Sequence, residues 1–322
     1  MRQRFLGQTG LEVSRFGLGT WSWGQDTDEY DARDQIAAFI DAGGSLLDTA
    51  PSYAGGVSEA LIGQMLRDSV ARDDVVIATK GGIGVNEKGR VRDTSRSGML
   101  RALDGSLRRL GVDHVDLWQV QLWVDGIPLE ETLAALDLAV TSGRARYVGV
   151  SNFAGWQTAR AATWQRAWPG RTPLASTQIE YSLLNRQVER EVIPAADALG
   201  LGVLAWSPLG RGVLSGKYRT GTPADSRAAS AHLAAFVEPY LADDCGQVVE
   251  AVCKAAEGLG LSPVEVALAW VRDRPGVTAP ILGARTAAQL SGALTAEEVT
   301  LPGEIVDALD DVSQIDLGYP ER

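Results

Sequence analysis

The sequence predicts an α/β protein built as a closed (β/α)8 TIM barrel, on three observations. Short β-branched runs alternate with amphipathic helical stretches from end to end, the pattern of parallel strands joined by crossover helices. The chain has 322 residues, which suits one barrel of about 250 residues plus insertions. No low-complexity linker divides it, so residues 1–322 read as a single domain. An open doubly wound sheet would carry Gly-x-Gly-x-x-Gly after its first strand. The nearest approach is Gly17-Leu18-Gly19, with Ser22 where the third glycine would stand.

The elements follow in order. Phe5–Phe16, turning at Thr9-Gly10, reads as an N-terminal β-hairpin able to plug the bottom of the barrel. Strands are expected near Phe16–Leu18, Ser45–Asp48, Val75–Thr79, Val115–Gln121, Arg146–Val150, Ala175–Ile179, Gly202–Ala205 and Thr278–Leu282. Helices are expected near Asp28–Ala42, Ser58–Met65, Gly98–Leu110, Leu129–Ser142, Gly155–Arg166, Glu189–Leu199 and Cys245–Leu259. Ser262-Pro263 with Glu265 marks a further helix start, and glycine closes helices at Gly43, Gly111, Gly143 and Gly200. Arg211 to Asp244, after the seventh strand, is too long for a simple connection and reads as a functional loop with short helices.

Composition narrows the partners. The net charge of −11 repels polyanions, which argues against nucleic acid and anionic membrane surfaces. No apolar run approaches the roughly 20 residues that span a bilayer, and the N-terminus lacks the apolar stretch of a secretion signal. Cys245 and Cys253 read as packing residues in a reduced cytoplasm. The two histidines, His114 and His232, are isolated, so no metal site is expected. Oligomeric state is not readable from the chain.

Chemistry gathers at the strand ends, where such barrels carry their active sites. Asp48, Tyr53, Lys80 and Gln121 fall at or just beyond the ends of three strands. Singly, Asp-Thr-Ala is a strand-to-loop turn and Thr-Lys-Gly-Gly a capped strand end; together they read as a site. Period-2 alternation puts Gln121 on one face with Leu117 and Gln119, pointing inward, while Trp118 points out. A free tyrosine titrates near about 10. A neighbouring ammonium is expected to lower that value, with a carboxylate holding the ammonium oriented. Tyr53 with Lys80 and Asp48 is thus a candidate general acid.

These residues, with Gly17-Leu18-Gly19-Thr20-Trp21, Val148-Gly149-Val150-Ser151-Asn152, Gln178-Ile179-Glu180-Tyr181, Trp206-Ser207-Pro208-Leu209-Gly210-Arg211-Gly212 and Pro280-Ile281-Leu282-Gly283-Ala284-Arg285-Thr286, resemble the aldo-keto reductase superfamily over nearly the whole chain. The resemblance implies metal-free hydride transfer from NADPH to an aldehyde or ketone, with proton donation by Tyr53 tuned by Lys80 and Asp48. The family's usual catalytic histidine is replaced by Gln121. An amide N–H still donates a hydrogen bond to the carbonyl oxygen, but it carries no titrating proton.

For the coenzyme, the resemblance implies contacts from Thr20, Trp21, Asp48, Ser151, Asn152 and Gln178, with Trp206 stacked on the nicotinamide ring. Ser207, Pro208, Leu209, Gly210, Gly212, Ser215 and Lys217 resemble the family's wrap around the pyrophosphate, where glycine admits a close phosphate. Gly283, Arg285 and Gln289 stand at a helix start suited to a phosphate. Arg285 suits the adenosine 2′-phosphate, which favours NADPH. Where the family places an acid and an asparagine for adenine, this chain has Gly292 and Ala293.

The substrate pocket is expected to draw on Trp21, Trp23, Tyr53, Gln121 and Trp118 or Trp123, and on the long loop after Gly212, with mostly apolar walls of few charges suited to a neutral or hydrophobic carbonyl. Two further readings stay open. One is a specialised keto-sugar or enone reductase of a biosynthetic pathway. The other is an NADP(H)-binding redox sensor, like the potassium-channel accessory subunits of this superfamily.

Overall fold

The structure, a computed structural model, describes residues 1–86, 89–316 and 318–319. An antiparallel hairpin of β1 (Gln3–Phe5) and β2 (Glu12–Ser14) comes first, with Gln3 opposite Ser14. The parallel strands follow: β3 (Gly17–Gly19), β4 (Leu46–Asp48) and β5 (Val76–Gly81). A second hairpin, β6 (Ile83–Asn86) with β7 (Gly89–Arg92), rises directly from the end of β5. Then come β8 (Val115–Val120), β9 (Ala145–Ser151), β10 (Leu174–Glu180), β11 (Gly202–Trp206) and β12 (Val277–Leu282). Strand β12 pairs back onto β3, so β3-β4-β5-β8-β9-β10-β11-β12 close into an all-parallel barrel.

Crossover helices cover the outside: α1 (Glu29–Asp41), α2 (Val57–Asp68), α3 (Arg96–Leu110), α4 (Leu129–Thr141), α5 (Gly155–Arg166) and α6 (Val192–Ala198). After β11 the chain makes only short turns and the four-residue α7 (Ala234–Val237) before α8 (Asp243–Leu259) and α9 (Pro263–Arg272). It ends with α10 (Ala287–Leu294) and α11 (Gly303–Val312). Among the described residues no helix is long and apolar enough to cross a membrane.

The helix starts follow local chemistry. Asp28 accepts from Asp31 N at the start of α1, and Ser262 and Glu265 form a reciprocal capping box before α9. The sixth helix is shorter than its sequence pattern. Gln187–Glu189 forms a separate 3-10 turn, and regular helix begins only at Val192. The β6–β7 hairpin is not signalled in the sequence, because its short strands bear glycine and exposed valines, Val85 and Val91, and only Ile83 at its base is buried among its described side chains.

Alternation along the strands separates two cores. Trp118 and Val120 of β8 join the large layer between barrel and helices, while Leu117 points inward with Leu46, Ala78, Ala175, Leu204, Ala279 and Ile281. Leu6 and Val13 of the hairpin complete that inner cluster, both fully buried, so the hairpin seals one end of the barrel with side chains. One period-2 step beyond Leu46, Ala78 and Leu204 on the same strands stand Asp48, Lys80 and Trp206. The polar site is therefore the next layer of the same interior.

That interior tolerates little extra volume. A Cβ on Gly149 of β9 would lie 2.2 Å from Ser176 Oγ and 2.8 Å from the Ser176 carbonyl oxygen. The hydroxyl can rotate away; the carbonyl cannot. Gly149→Ala is expected to cost about 1–3 kcal/mol through overpacking, read as a lower urea midpoint at unchanged slope. Wild-type stability would show that the β9–β10 contact yields freely.

Candidate active site

At the open end of the barrel the Asp48 and Lys80 side chains meet in a buried ion pair. Lys80 Nζ donates to both carboxylate oxygens at 2.8 Å, to the Thr49 carbonyl at 3.1 Å and to Tyr53 Oη at 3.1 Å. Both ionic side chains are at most 3% exposed. From β10, opposite β4 in the barrel order, Gln178 Nε2 donates to Asp48 Oδ1 at 2.7 Å. Tyr53 opens a short 3-10 turn in which Ala54 takes a left-handed φ of 46° and Gly55 and Gly56 follow with positive φ. That bend returns the phenol over the strand ends.

The electrostatics differ from the sequence expectation for Tyr53. Burial pulls the Lys80 ammonium down, but Asp48 and then Tyr53 more than offset it, so Lys80 lies above the ordinary lysine value and stays charged. Burial also dominates at Tyr53. It outweighs the attraction of Lys80, which Asp48 opposes, and the phenol is raised above its ordinary value rather than lowered. Tyr53 is thereby held protonated, as a donor.

Gln121 lies beside this cluster, 6% exposed and on the pocket wall. Its backbone N–H donates to the Gly81 carbonyl at 2.8 Å, and its carbonyl accepts from Asn152 Nδ2 at 2.9 Å. Asn152 itself takes a left-handed φ of 55°, donates also to Ser151 Oγ at 3.0 Å, and accepts from Trp206 Nε1 at 3.0 Å. The Asn152 amide is thus committed to protein partners at both ends and braces Gln121 and the Trp206 indole. Ser151, Gln178 and Trp206 face the same pocket.

The pocket, a groove of about 680 Å³, runs from Tyr53 past Ser207, Pro208, Leu209, Gly212, Ser215 and Lys217 to Gly283, Arg285 and Gln289. Positive φ at Ser207 (52°), Gly210 (54°), Arg211 (58°) and Gly212 (97°) bends the chain along it. Gln289 accepts from Arg285 N at 3.0 Å, and Thr286 caps α10. Gly292 and Ala293 line the far end.

Three cations converge on this groove. Burial lowers Lys217, and the nearby Arg227 and Arg285 add to the effect. Burial, with Arg285, likewise lowers Arg227. Among the described residues no carboxylate pairs with Lys217 or Arg227, and only the exposed Asp225 approaches Arg285, at 3.9 Å. Crowded cations, two of them desolvated and without a carboxylate partner, suit an anion, and a coenzyme with a pyrophosphate fits them.

The segment after β11 folds back over the groove. Arg211 holds its base, bidentate to Glu180 at 2.8 and 2.7 Å and donating to the Phe236 carbonyl at 2.6 Å. Phe236 packs on Trp21 with ring centroids 5.4 Å apart, and the Arg227 guanidinium lies 6.0 Å from the same indole. Across the mouth, His232 Nε2 sits 3.2 Å from the Asp26 carboxylate. The long loop after Gly212 does reach the pocket as expected, through Arg227 and Phe236, which the sequence did not single out, and Arg90, a β7 residue on the pocket wall, was missed. Arg90 also corrects the expectation of walls with few charges.

Four residues assigned from the sequence lie elsewhere. Thr20 is fully buried, donating to the Asp48 carbonyl at 3.0 Å and sharing a hydrogen bond with Ser58 Oγ at 2.6 Å, so it supports the floor without reaching the groove. Trp23 is fully buried and donates to Gln35 Oε1 of α1 at 3.1 Å. Trp123 turns aside to pack against Phe153 and Trp156. Gly210 lies behind the wall, against Leu184. Trp118, an alternative to Trp123, is in the outer core. Trp21 alone of the four proposed pocket tryptophans lines the groove.

A profile of the Aldo/keto reductase family matches residues 15–314. An uncharacterised oxidoreductase of Bacillus subtilis, YrpG, is 38% identical over 97% of this chain and 96% of its own. A probable voltage-gated potassium channel subunit beta of Oryza sativa subsp. japonica is 36% identical over 98% and 97%. The L-glyceraldehyde 3-phosphate reductase of Escherichia coli is 31% identical over 98% and 92%. With a closed barrel of this topology and a match across nearly its whole length, the chain belongs to the aldo/keto reductase family of NAD(P)-dependent oxidoreductases.

Proposed function

We propose that the protein reduces an aldehyde or ketone to the alcohol with NADPH, with Tyr53 as the proton donor. The observation that carries this reading is a protonated phenol held 3.1 Å from a buried, charged ammonium at the base of the groove. When bound, the coenzyme supplies the hydride. Tyr53 gives its proton to the developing alkoxide, and Lys80, fixed by Asp48, stabilises the phenolate left behind. Gln121 Nε2 orients the carbonyl oxygen by donating a hydrogen bond. Trp206, Ser151 and Gln178 flank the nicotinamide end, while Lys217, Arg227 and Arg285 hold the phosphates. The substrate is a small carbonyl compound, the compartment is the cytoplasm, and the reaction uses no metal.

Two experiments test the proton donor. Tyr53→Phe is expected to lower carbonyl-dependent NADPH oxidation by roughly 10²–10⁴-fold with coenzyme affinity nearly unchanged; retained turnover removes Tyr53 from its role. The pH profile gives a second reading. The protonated phenol is the active form and its pKa is raised, so kcat/KM should stay level through neutral pH and fall only above about 10. No limb is expected near histidine's value of about 6.5, and Gln121→His should introduce one there. An unchanged profile in that variant would mean that position 121 only fills space.

The cation cluster supports NADPH over NADH. NADPH should bind more tightly, and Arg285→Ala should narrow the gap by roughly tenfold, the loss of a charge-assisted contact. Arg227→Ala should weaken both coenzymes. Equal wild-type affinities would overturn the 2′-phosphate assignment. The relatives named as probable channel subunits favour a second reading, an NADP(H)-binding sensor with weak turnover. Tight NADPH binding with no oxidation across aromatic aldehydes, diketones and keto-sugars would select it.

A further inference from the structure

The Gln121 amide ends a side chain with three rotatable torsions, and its burial beside the pocket costs rotamer freedom. Its backbone is pinned by Gly81 and Asn152, but neither contact fixes where the amide group lies. The side chain that touches it is Ser52. The serine Oγ lies 3.1 Å from Gln121 Nε2 and 3.3 Å from Oε1. One hydroxyl thus grips the amide at its tip, accepting from the N–H side or donating to the carbonyl side. Ser52 is half-buried and is not part of the groove wall, whereas Gln121 is. Contact with substrate therefore falls to the amide, and Ser52 acts through it.

The position of Ser52 in the chain gives the contact a second consequence. Ser52 immediately precedes Tyr53, on the turn that carries the phenol over Lys80. Gripping the Gln121 amide from this turn places the carbonyl orienter and the proton donor in a fixed relation. An imidazole is a rigid ring with one torsion fewer beyond Cβ; a glutamine in that place needs an external hold to be comparably preorganised.

We propose that Ser52 is the positioning residue for Gln121, holding the amide so that an Nε2 proton points at the substrate oxygen beside Tyr53. A carbonyl oxygen only accepts, so it selects the N–H face, and the serine hydroxyl stays bonded to the rest of the amide. This rests on the carbonyl-reductase reading of the pocket.

The test is a double-mutant cycle on the full chain. Ser52→Ala should lower kcat/KM for 4-nitrobenzaldehyde reduction roughly tenfold, the scale of one lost hydrogen bond. The loss should fall on kcat and the aldehyde KM, leaving the NADPH dissociation constant unchanged. Ser52→Thr, which keeps the hydroxyl, should restore most of it. In a Gln121→Ala background, Ser52→Ala should cost nothing further. Wild-type kinetics in Ser52→Ala, no rescue by threonine, or additive losses would overturn the proposal. If the wild type turns over no carbonyl, the reductase reading falls by itself. The same variants are then compared by calorimetric binding of 4-nitrobenzaldehyde to the non-reacting NADP⁺ complex. Weaker binding in Ser52→Ala restored by threonine upholds the positioning role; equal binding overturns it.

Discussion

The site depends on the Asp48–Lys80 ion pair and on what the closed barrel does to stabilise it. Two ions at most 3% exposed carry a desolvation cost of several kcal/mol each, and their mutual attraction offsets it only when the remaining donors and acceptors are paired. Lys80 spends its protons on Asp48, Thr49 and Tyr53, and Asp48 takes a further bond from Gln178. That last bond joins strands on opposite sides of the barrel. An open sheet would hold them far apart. Closure is therefore a condition for the Gln178 bond that helps to hold Asp48, and the ion pair is a condition for a charged lysine beside the phenol.

Burial sets the sign of the phenol's shift, and the two members of the pair act on it in opposite directions. A bare ammonium 3.1 Å away would favour phenolate, which is what the sequence alone leads one to expect. Burial penalises the phenolate most, and Asp48 adds a charge that opposes Lys80, so Tyr53 rises. Spacing along the chain identifies the three partners, but the balance among them comes from distances and burial that no spacing encodes. In the proposed reaction the phenol is thereby kept loaded as the acid at neutral pH, and Lys80 would meet the negative charge once the proton leaves.

Legibility followed the same division. The barrel could be read because period-2 and helical patterns alternate over the whole length, and the N-terminal hairpin because Thr9-Gly10 interrupts two short runs. The β6–β7 hairpin escaped notice because Val85 and Val91 are exposed and only Ile83 at its base is buried, so no alternation marks it. Position at the strand ends gave Asp48 and Lys80, and alternation with Leu117 and Gln119 gave Gln121. Beyond a strand end alternation lapses: Trp21 faces the groove while Thr20 and Trp23 turn to Ser58 and Gln35. Arg227 left no sequence signal, since it reaches the groove only after a long irregular segment folds back onto Trp21.

The groove's charge shows why composition is a poor guide to a ligand. The chain carries a net charge of −11, which bears on extended polyanions because their field is summed over many phosphates. A small anion in a groove meets only the nearby charges, since others are screened beyond about 8–10 Å at ordinary ionic strength. There the local set is Lys217, Arg227 and Arg285, each near the others and two of them lowered by burial and mutual repulsion. A bound phosphate removes that repulsion and supplies the acceptors that the protein withholds. The same segment that brings Arg227 inward is anchored by Arg211 on Glu180 and by Phe236 on Trp21. Those contacts offset the cost of gathering like charges before any anion arrives, so the groove is preorganised for a ligand of opposite sign to itself and of the same sign as the chain.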